Sequence, residues 1–534
     1  MSTQKKKSRS LAGIAGIVAV ATLVSKVFGL VRQMAIAAAF GVGTVSNAYV
    51  YAYNIPSFLL ILLGGINGPF HSALVSALAK RKKSEAAPIV ETVSTLVTSI
   101  LLLVTVILVI FAGNFIDLLA PGLSPEVKAI AIIQLRIMAP IAIFAGLIGI
   151  GFGTLNAANL YWLPSISPLF SSTTIIVGIG CLFWSLGDRI NAPQYAQIGG
   201  VVLAGGTLVG AILQWLAQLI TQWRSGLGTL KLRFDWRIPG VTDVLKVMIP
   251  ATFSSGMLQI NTYTDLFFAS YIPNAAAAMQ YATFLYITPI GIISNMILVP
   301  FMPVFSRLAA PENWQELKIR IRQGLFLSAL TMLPFTAVFV SLSVPIVRLV
   351  YQRSQFDETA TQFVAPLLVV YGVGMFIYLG RDVLVRVFYA LGDGTTPFRI
   401  SIINILINAI LDFVLVKSFG VTGLVAATIG VNIISMSIFL YILHHRLGGL
   451  PLKEWGLGLL GLIFASFLAA LGSYSVSWGW ERAIGSSNLL FLLLQLSLAT
   501  IVAFALFAIV AMQLKLPEVD MLATRIKQKL KIGN

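Results

Sequence analysis

Three polar residues interrupt the first long apolar run of the 534-residue chain, in Ser25-Lys26-Val27-Phe28-Gly29-Leu30-Val31-Arg32. On a helix, Ser25, Gly29 and Arg32 fall at i, i+4 and i+7, so one narrow face of small and polar residues carries the guanidinium. About twenty mostly apolar residues precede Arg32, which makes a snorkelling route to the headgroups long. The preferred reading is a cation facing a water-filled cavity, where an anionic substrate meets it inside the bilayer. For Lys26, a headgroup anchor and a cavity cation weigh equally.

A second set of polar residues lies in later apolar runs. Asp265 follows Asn261, Thr262, Tyr263 and Thr264, and Asn404, Asn408 and Asp412 stand at i, i+4 and i+8 as one stripe. Carboxylate and amide oxygens at this spacing can replace the water shell of a hard monovalent cation, so a sodium or proton coupling site is one reading. A hydrogen-bonded staple between helices is the other, and the two weigh equally on the residues alone. Thr428 in the next span offers a further oxygen. Asp382 and Arg386 stand at i and i+4 with the acid first, the order that favours an intrahelical ion pair, which leaves Arg381 free to face a cavity.

These residues need a membrane fold to position them. The composition is 58% hydrophobic and only 10% charged, with a mean hydropathy of +0.91. Soluble domains average about 25% charged residues, so this is an all-α polytopic membrane protein, with about fourteen spans. Of the 36 Lys and Arg, 24 fall in loops on the side of the N-terminus, 6 on the opposite side and 6 inside spans. That bias places both termini in the cytoplasm, with anionic inner-leaflet lipids as the partner of the basic loops. It also explains the net charge of +17 without nucleic acid. The basic N-terminal flank has no signal-peptide pattern.

The single cysteine, Cys181, excludes an intramolecular disulfide and a cysteine metal cluster. No Walker A, Ser/His/Asp or HExxH pattern exists, and His71, His444 and His445 have no ligand-like partners, so no enzymatic activity and no cofactor are expected. Two longer loops, 223–239 and 307–322, lie on the cytoplasmic side. The second reads as an amphipathic helix on the membrane surface, as does the tail around Leu522, Ile526 and Leu530.

The chain repeats itself weakly. Pro56 recurs 233 residues later as Pro289, Pro164 recurs as Pro397, and Pro69 recurs 234 residues later as Pro303. Six spans separate the copies, so the repeats are parallel, as in transporters that work by alternating access. The lobes expected are 1–222 and 223–450, followed by two helices and a basic tail over 451–534. At the repeat offset Arg32 corresponds to Asp265, an opposite-charge pair that suits a gate or a shared site.

The opening Ser25-Lys26-x-x-Gly29-x-x-Arg32, Tyr351-Gln-Arg-Ser-Gln-Phe-Asp357 and Phe388-Tyr-Ala-x-x-Asp393-x-x-Thr396-Pro397, with Pro289 to Arg307, resemble the lipid II flippase family (MurJ/MviN). That family sits in the exporter superfamily of multidrug extruders and O-antigen flippases, and the similarity runs over roughly residues 10–513. The resemblance implies two pseudo-symmetric six-helix lobes around a cavity, with two C-terminal helices forming a groove for a polyprenyl tail. It implies a monomeric, multi-pass transporter of the inner membrane that moves a lipid-linked peptidoglycan precursor to the outer leaflet. Carried over, the family's cavity face falls on Ser25, Lys26 and Arg32. Its sodium site falls on Asp265, Asn408, Asp412, Thr428 and the Leu424 carbonyl. The chain departs from the family at Asn47, where an acid is usual, and at Leu60 and Phe284, where arginines are usual. Arg381, Lys26 and Arg136 are the cations able to stand in. A flippase for another polyprenyl-diphosphate oligosaccharide is the alternative. A multidrug antiporter fits less well, because its cavity needs acids.

Overall fold

The computed structural model describes residues 11–63, 69–78, 81, 83–238, 240–246, 248, 260–485, 488–521 and 524. Backbone amides and carbonyls have no water to bond in hydrocarbon, so each segment must satisfy them internally, which a helix does locally. The described residues accordingly form helices and turns, with no strand beyond one isolated bridge between Arg353 and Phe356. The chain divides into two compact units, Met1–Ala277 with Arg353–Phe356, and Ala278–Gln352 with Asp357–Asn534.

The first unit holds α1 (Leu11–Phe40), α2 (Thr44–Leu63), α3 (Pro69–Leu78), α4 (Lys83–Ile110), α5 (Ala112–Leu119) and α6 (Pro125–Met138). It continues with α7 (Ile141–Ala157), α8 (Trp162–Ile166), α9 (Leu169–Leu186), α10 (Ala196–Arg224) and α11 (Ile260–Ala269). Its core is built where α3, α4 and α7 bring Phe70, Leu74, Ile89, Val93, Val97 and Ile150 together. Between α6 and α7 the chain bends by 43° at Ala139 and Pro140, where proline removes a helical donor.

α12 (Ala275–Arg307) carries the chain into the second unit, which holds α13 (Trp314–Tyr351), α14 (Glu358–Ala390), α15 (Thr395–Arg446), α16 (Leu452–Ala483) and α17 (Leu489–Gln513). α13 packs on α14, α16 and α17. Its start corrects an expectation: residues 314–322 are the first turns of a spanning helix rather than a separate surface helix. Leu317, Ile321 and Leu325 are buried on the face that the span continues, and nothing between them breaks the helix.

At 52 residues α15 would reach about 78 Å, more than twice the ~30 Å hydrocarbon core. The backbone leaves the helix at Gly420, where φ is +57°, a conformation that glycine adopts without strain. The two halves then return along each other. A Cβ at Gly423 would overlap the Leu415 carbonyl, and the hydrogen bond from Asn404 Nδ2 to Ser435 Oγ (3.3 Å) is centred on the same break. The expected eleventh and twelfth spans are thus one antiparallel hairpin.

Ten helices among the described residues are long and apolar enough to cross a membrane, or eleven with α6 and α7 taken as one bent span. The full count of fourteen is not reached among them. α15 enters once although it turns back at Gly420, and part of the expected seventh span, including residues 249–259, lies outside the described residues. The proposed tail helix at Leu522, Ile526 and Leu530 also lies outside them.

Two of the sequence motifs are structural clasps. In the first, Gln355 donates its backbone N–H to the Ala38 carbonyl at the end of α1 (3.1 Å), and Asp357 caps α14 by accepting from the Ala360 N–H at 2.8 Å. In the second, Asp393 accepts from the Thr396 N–H (2.9 Å), the Thr396 hydroxyl (2.8 Å) and Arg446 Nη1 (2.7 Å), tying the start of α15 to its end. Partial burial pushes the Asp393 carboxyl up, but the Thr396 and Arg446 hydrogen bonds outweigh it and hold the group below the ordinary carboxylate range.

A depressed native pKa means that the unfolded chain binds the proton more readily, so this clasp stabilises above the ordinary carboxylate range and fades as pH falls through the native value. Solvent limits the effect to about 1 kcal/mol or less. Asp393→Asn is expected to flatten the loss of thermal stability on acidification, read by unfolding of the purified protein across pH 6 down to about 3. An acid profile parallel to that of the unsubstituted protein contradicts the clasp.

Candidate functional site

α1 divides as its sequence pattern requires. Ser25, Gly29 and Arg32 are half-buried, while Val27, Phe28 and Val31 between them are exposed. Lys26 lies on the exposed side, so the two cations of this helix do not share a face. Arg32 Nε is buried without a hydrogen-bond partner, and the side chain enters no ion pair among the described residues. Its electrostatic neighbour is Tyr49 of α2, whose hydroxyl bonds Thr207 at 2.8 Å and whose ring stacks on Tyr53 with centroids 5.4 Å apart. A guanidinium cannot lose its proton here, so an unpaired one keeps its full demand for an anion.

Asp265, the counterpart of Arg32 at the repeat offset, is half-buried on α11 and forms no ion pair with it, so the expected opposite-charge pair is not formed in this structure. Asn47 accepts a hydrogen bond from the Ala277 N–H (3.2 Å) in the first turn of α12, and an amide oxygen serves that donor without a carboxylate. Leu60 and Phe284 are half-buried apolar side chains.

The second unit holds a polar ladder in two hydrogen-bonded sets. Arg381 on α14 donates through Nε to Ser435 Oγ at 3.1 Å, and Asn404 Nδ2 bonds the same hydroxyl. One turn along α15, Asn408 Nδ2 donates to Asp412 Oδ2 at 2.8 Å. Asn404, Asn408, Asp412 and Ser435 are all at most 2% exposed, and Asn404 Oδ1 is buried with no partner. The register of the hairpin sets Asp412 level with Ala427 and Thr428. The Thr428 hydroxyl bonds the Leu424 carbonyl at 3.3 Å. Asp382 and Arg386 form the expected ion pair at 4.0 Å.

Of the residues assigned to a cation site, Asn408, Asp412, Leu424 and Thr428 belong to the second unit and Asp265 to the first. Among the described residues no three His, Cys, Asp or Glu side chains gather as metal ligands. One carboxylate among neutral oxygens suits a monovalent cation better than a divalent one. Ser435 was not among the sequence candidates, yet Thr428, Asn432 and Ser435 stand at i, i+4 and i+7, the signal that would have found it. His71 bonds Asn156 at 2.9 Å and His444 accepts from the Leu450 N–H at 2.9 Å, so both serve structure.

Comparison with known proteins adds three findings. A family model described as lipid II flippase MurJ matches residues 36–513. A probable lipid II flippase MurJ from Synechocystis sp. is 59% identical over 531 residues, covering 99% of this chain and 100% of that one, and one from Rhizobium tropici is 27% identical over 523 residues, covering 95% of each. The fold resembles a solved structure of lipid II flippase MurJ in an inward closed conformation, with TM-score 0.74 and 24% identity over 92% of this chain and 97% of that one. It also resembles an inward-facing MATE-family multidrug resistance transporter, with TM-score 0.65 and 16% identity over 81% of this chain and 98% of that one.

Removing the hydroxyl shared by Arg381 and Asn404 tests the ladder. Ser435→Ala leaves a buried donor on Asn404 and a half-buried one on Arg381 without that acceptor and is expected to cost about 1–3 kcal/mol, seen as a lower melting temperature of the purified protein. An unchanged melting temperature contradicts the ladder's role.

Proposed function

The chain belongs to the lipid II flippase MurJ family, and on that footing we propose that it carries lipid II from the inner to the outer leaflet of the cytoplasmic membrane by alternating access. The observation that carries the site assignment is Arg32, a half-buried cation whose buried Nε has no partner. A diphosphate supplies the acceptor it lacks, through charge-assisted and bidentate hydrogen bonds. Ser25 lies on the same face as a hydroxyl donor, and Lys26 adds a charge nearer the headgroups. Arg381, held by Ser435, is the second-unit cation assigned to the substrate.

The polar headgroup of such a substrate does not cross about 30 Å of hydrocarbon unaided, because its charges have no partners there. A protein that presents a fixed cation within the membrane lowers that barrier, and no bond in the substrate needs to be made or broken. The transporter then has no need of an enzymatic centre or a cofactor. Asn408, Asp412, Thr428 and the Leu424 carbonyl are assigned to a coupling sodium ion, with Asp265 as a further ligand. Asn404 Oδ1 supports this reading as a buried oxygen in the same stripe with no donor of its own. Differential binding of that ion biases the inward-open and outward-open states. The charge bias supports cytoplasmic termini and anionic lipids around the basic loops, and the proline repeat supports lobes over 1–222 and 223–450 with a C-terminal segment over 451–534; a monomer is the assigned working unit.

Two outcomes are expected. In a bacterium whose sole lipid II flippase has been replaced by this chain, the unsubstituted protein sustains growth and Arg32→Ala does not, at equal expression. Accumulation of lipid II behind a well-expressed unsubstituted chain would point to another polyprenyl-diphosphate oligosaccharide, a substrate that the apolar Leu60 and Phe284 favour. In purified protein, sodium chloride raises the melting temperature over equal choline chloride, as ligand linkage requires, and Asp412→Asn abolishes the difference. Equal stabilisation by both salts contradicts the sodium assignment.

A further inference from the structure

In the first unit α4 and α10 each pack on α7, and a cavity of about 450 Å³ lies among them. Its α4 wall runs from Glu91 to Leu102, about 16 Å at 1.5 Å per residue, which matches the ~15 Å hydrocarbon depth of one leaflet. Ile143 and Leu147 of α7 form the apolar floor, and Ser94 and Thr98 add hydroxyls on α4.

The segment 229–236 closes one end as an extended strap. Glu91 holds it: Oε1 accepts from the Thr229 N–H (3.0 Å) and hydroxyl (2.9 Å), and Oε2 pairs with Arg233 at 3.5 Å. The Arg233 N–H donates to Thr95 Oγ1 at 3.1 Å. Along the strap Leu230, Leu232, Phe234 and Trp236 are 61–82% exposed. An extended row of apolar side chains ending in tryptophan suits the boundary between headgroups and hydrocarbon. Glu91 is neutralised by Arg233, so Lys231, exposed and in no ion pair among the described residues, sets the charge of the cavity mouth.

A polar group is buried inside. Gln218 of α10 is 1% exposed, its Nε2 bonds Ser167 Oγ at 3.1 Å, and its Oε1 has no partner. Gly151 makes room for that oxygen, because a Cβ there would overlap it. Gln218 lies one turn from Gln222, whose amide stands beside Gly228 at the strap's start. A carbonyl acceptor one turn below a lysine-marked mouth, above an apolar trough one leaflet long, describes a lipid with an anionic, hydroxyl-bearing headgroup.

We propose that this groove holds one anionic phospholipid of the inner leaflet. Its phosphate meets Lys231, a headgroup hydroxyl donates to Gln218 Oε1, and one acyl chain lies along Ile143, Leu147 and Leu102. Neither Arg32 nor Arg381 lines the groove, and its occupancy is read without transport, so its failure leaves the flippase assignment untouched. Native mass spectrometry of the full chain, equilibrated with phosphatidylglycerol or phosphatidylcholine in detergent, is the test. One phosphatidylglycerol is expected to be retained about tenfold more tightly than phosphatidylcholine. Thr98→Trp, which fills the trough, and Lys231→Gln, an exposed change that leaves the fold intact, are each expected to remove that preference. Equal retention of the two lipids, retention unaltered in Lys231→Gln, or displacement of the lipid by inorganic phosphate overturns the proposal.

Discussion

In hydrocarbon a polar group has no solvent to fall back on, and this constraint orders the whole structure. It forces the described backbone into helices, and it makes each polar side chain within them either find a partner or remain a costly exception. Most find one. The Asn and Asp stripe of α15 bonds within itself and to Ser435, Tyr49 bonds Thr207, and Glu91 is saturated by the strap that crosses it. Arg32 is an exception with a charge it cannot discard. Placing an arginine at the centre of a membrane helix costs roughly 2.5–3.5 kcal/mol on insertion scales, and Arg32 enters no ion pair among the described residues. In the proposed function, the anionic substrate recovers that cost.

The same constraint separates the two polar sites by chemistry. The first presents a guanidinium with tyrosine hydroxyls nearby, the chemistry that the proposed anionic substrate needs. The second presents one carboxylate, amides and carbonyls behind a hydrogen-bonded arginine, the donor set that the proposed sodium ion needs. Ser435 joins Arg381 to Asn404 of this second set. The groove beneath the 229–236 strap adds a third chemistry, that of the surrounding lipid.

Much of this was legible in the sequence because helical periodicity is local. Ser25, Gly29 and Arg32 fell on one face as their spacing requires, and Asn408 and Asp412 met because they are four residues apart. What escaped depended on partners distant in sequence. The spacing of Thr428, Asn432 and Ser435 marked a polar face, but the partners of Ser435 depended on the register that the Gly420 turn sets. Lys26 belongs to the other side of α1, although it adjoins Ser25, because one residue turns a helix by 100°. Residues 314–322 read as a surface helix from their charges, whereas their apolar face continues without a break into the span. Gln218 gave no signal, since a glutamine in an apolar helix declares nothing until the glycine opposite it is known.

The central claim is that the unpaired Arg32 guanidinium recognises the diphosphate of the lipid-linked substrate. It is tested most directly by the affinity of the purified protein for lipid II, measured for the unsubstituted chain and for Arg32→Ala under identical detergent and salt. Losing one partner of a buried charge-assisted contact predicts about a hundredfold weaker binding, or more, for the variant. An affinity for Arg32→Ala within about twofold of the unsubstituted protein, less than 0.5 kcal/mol, would contradict it.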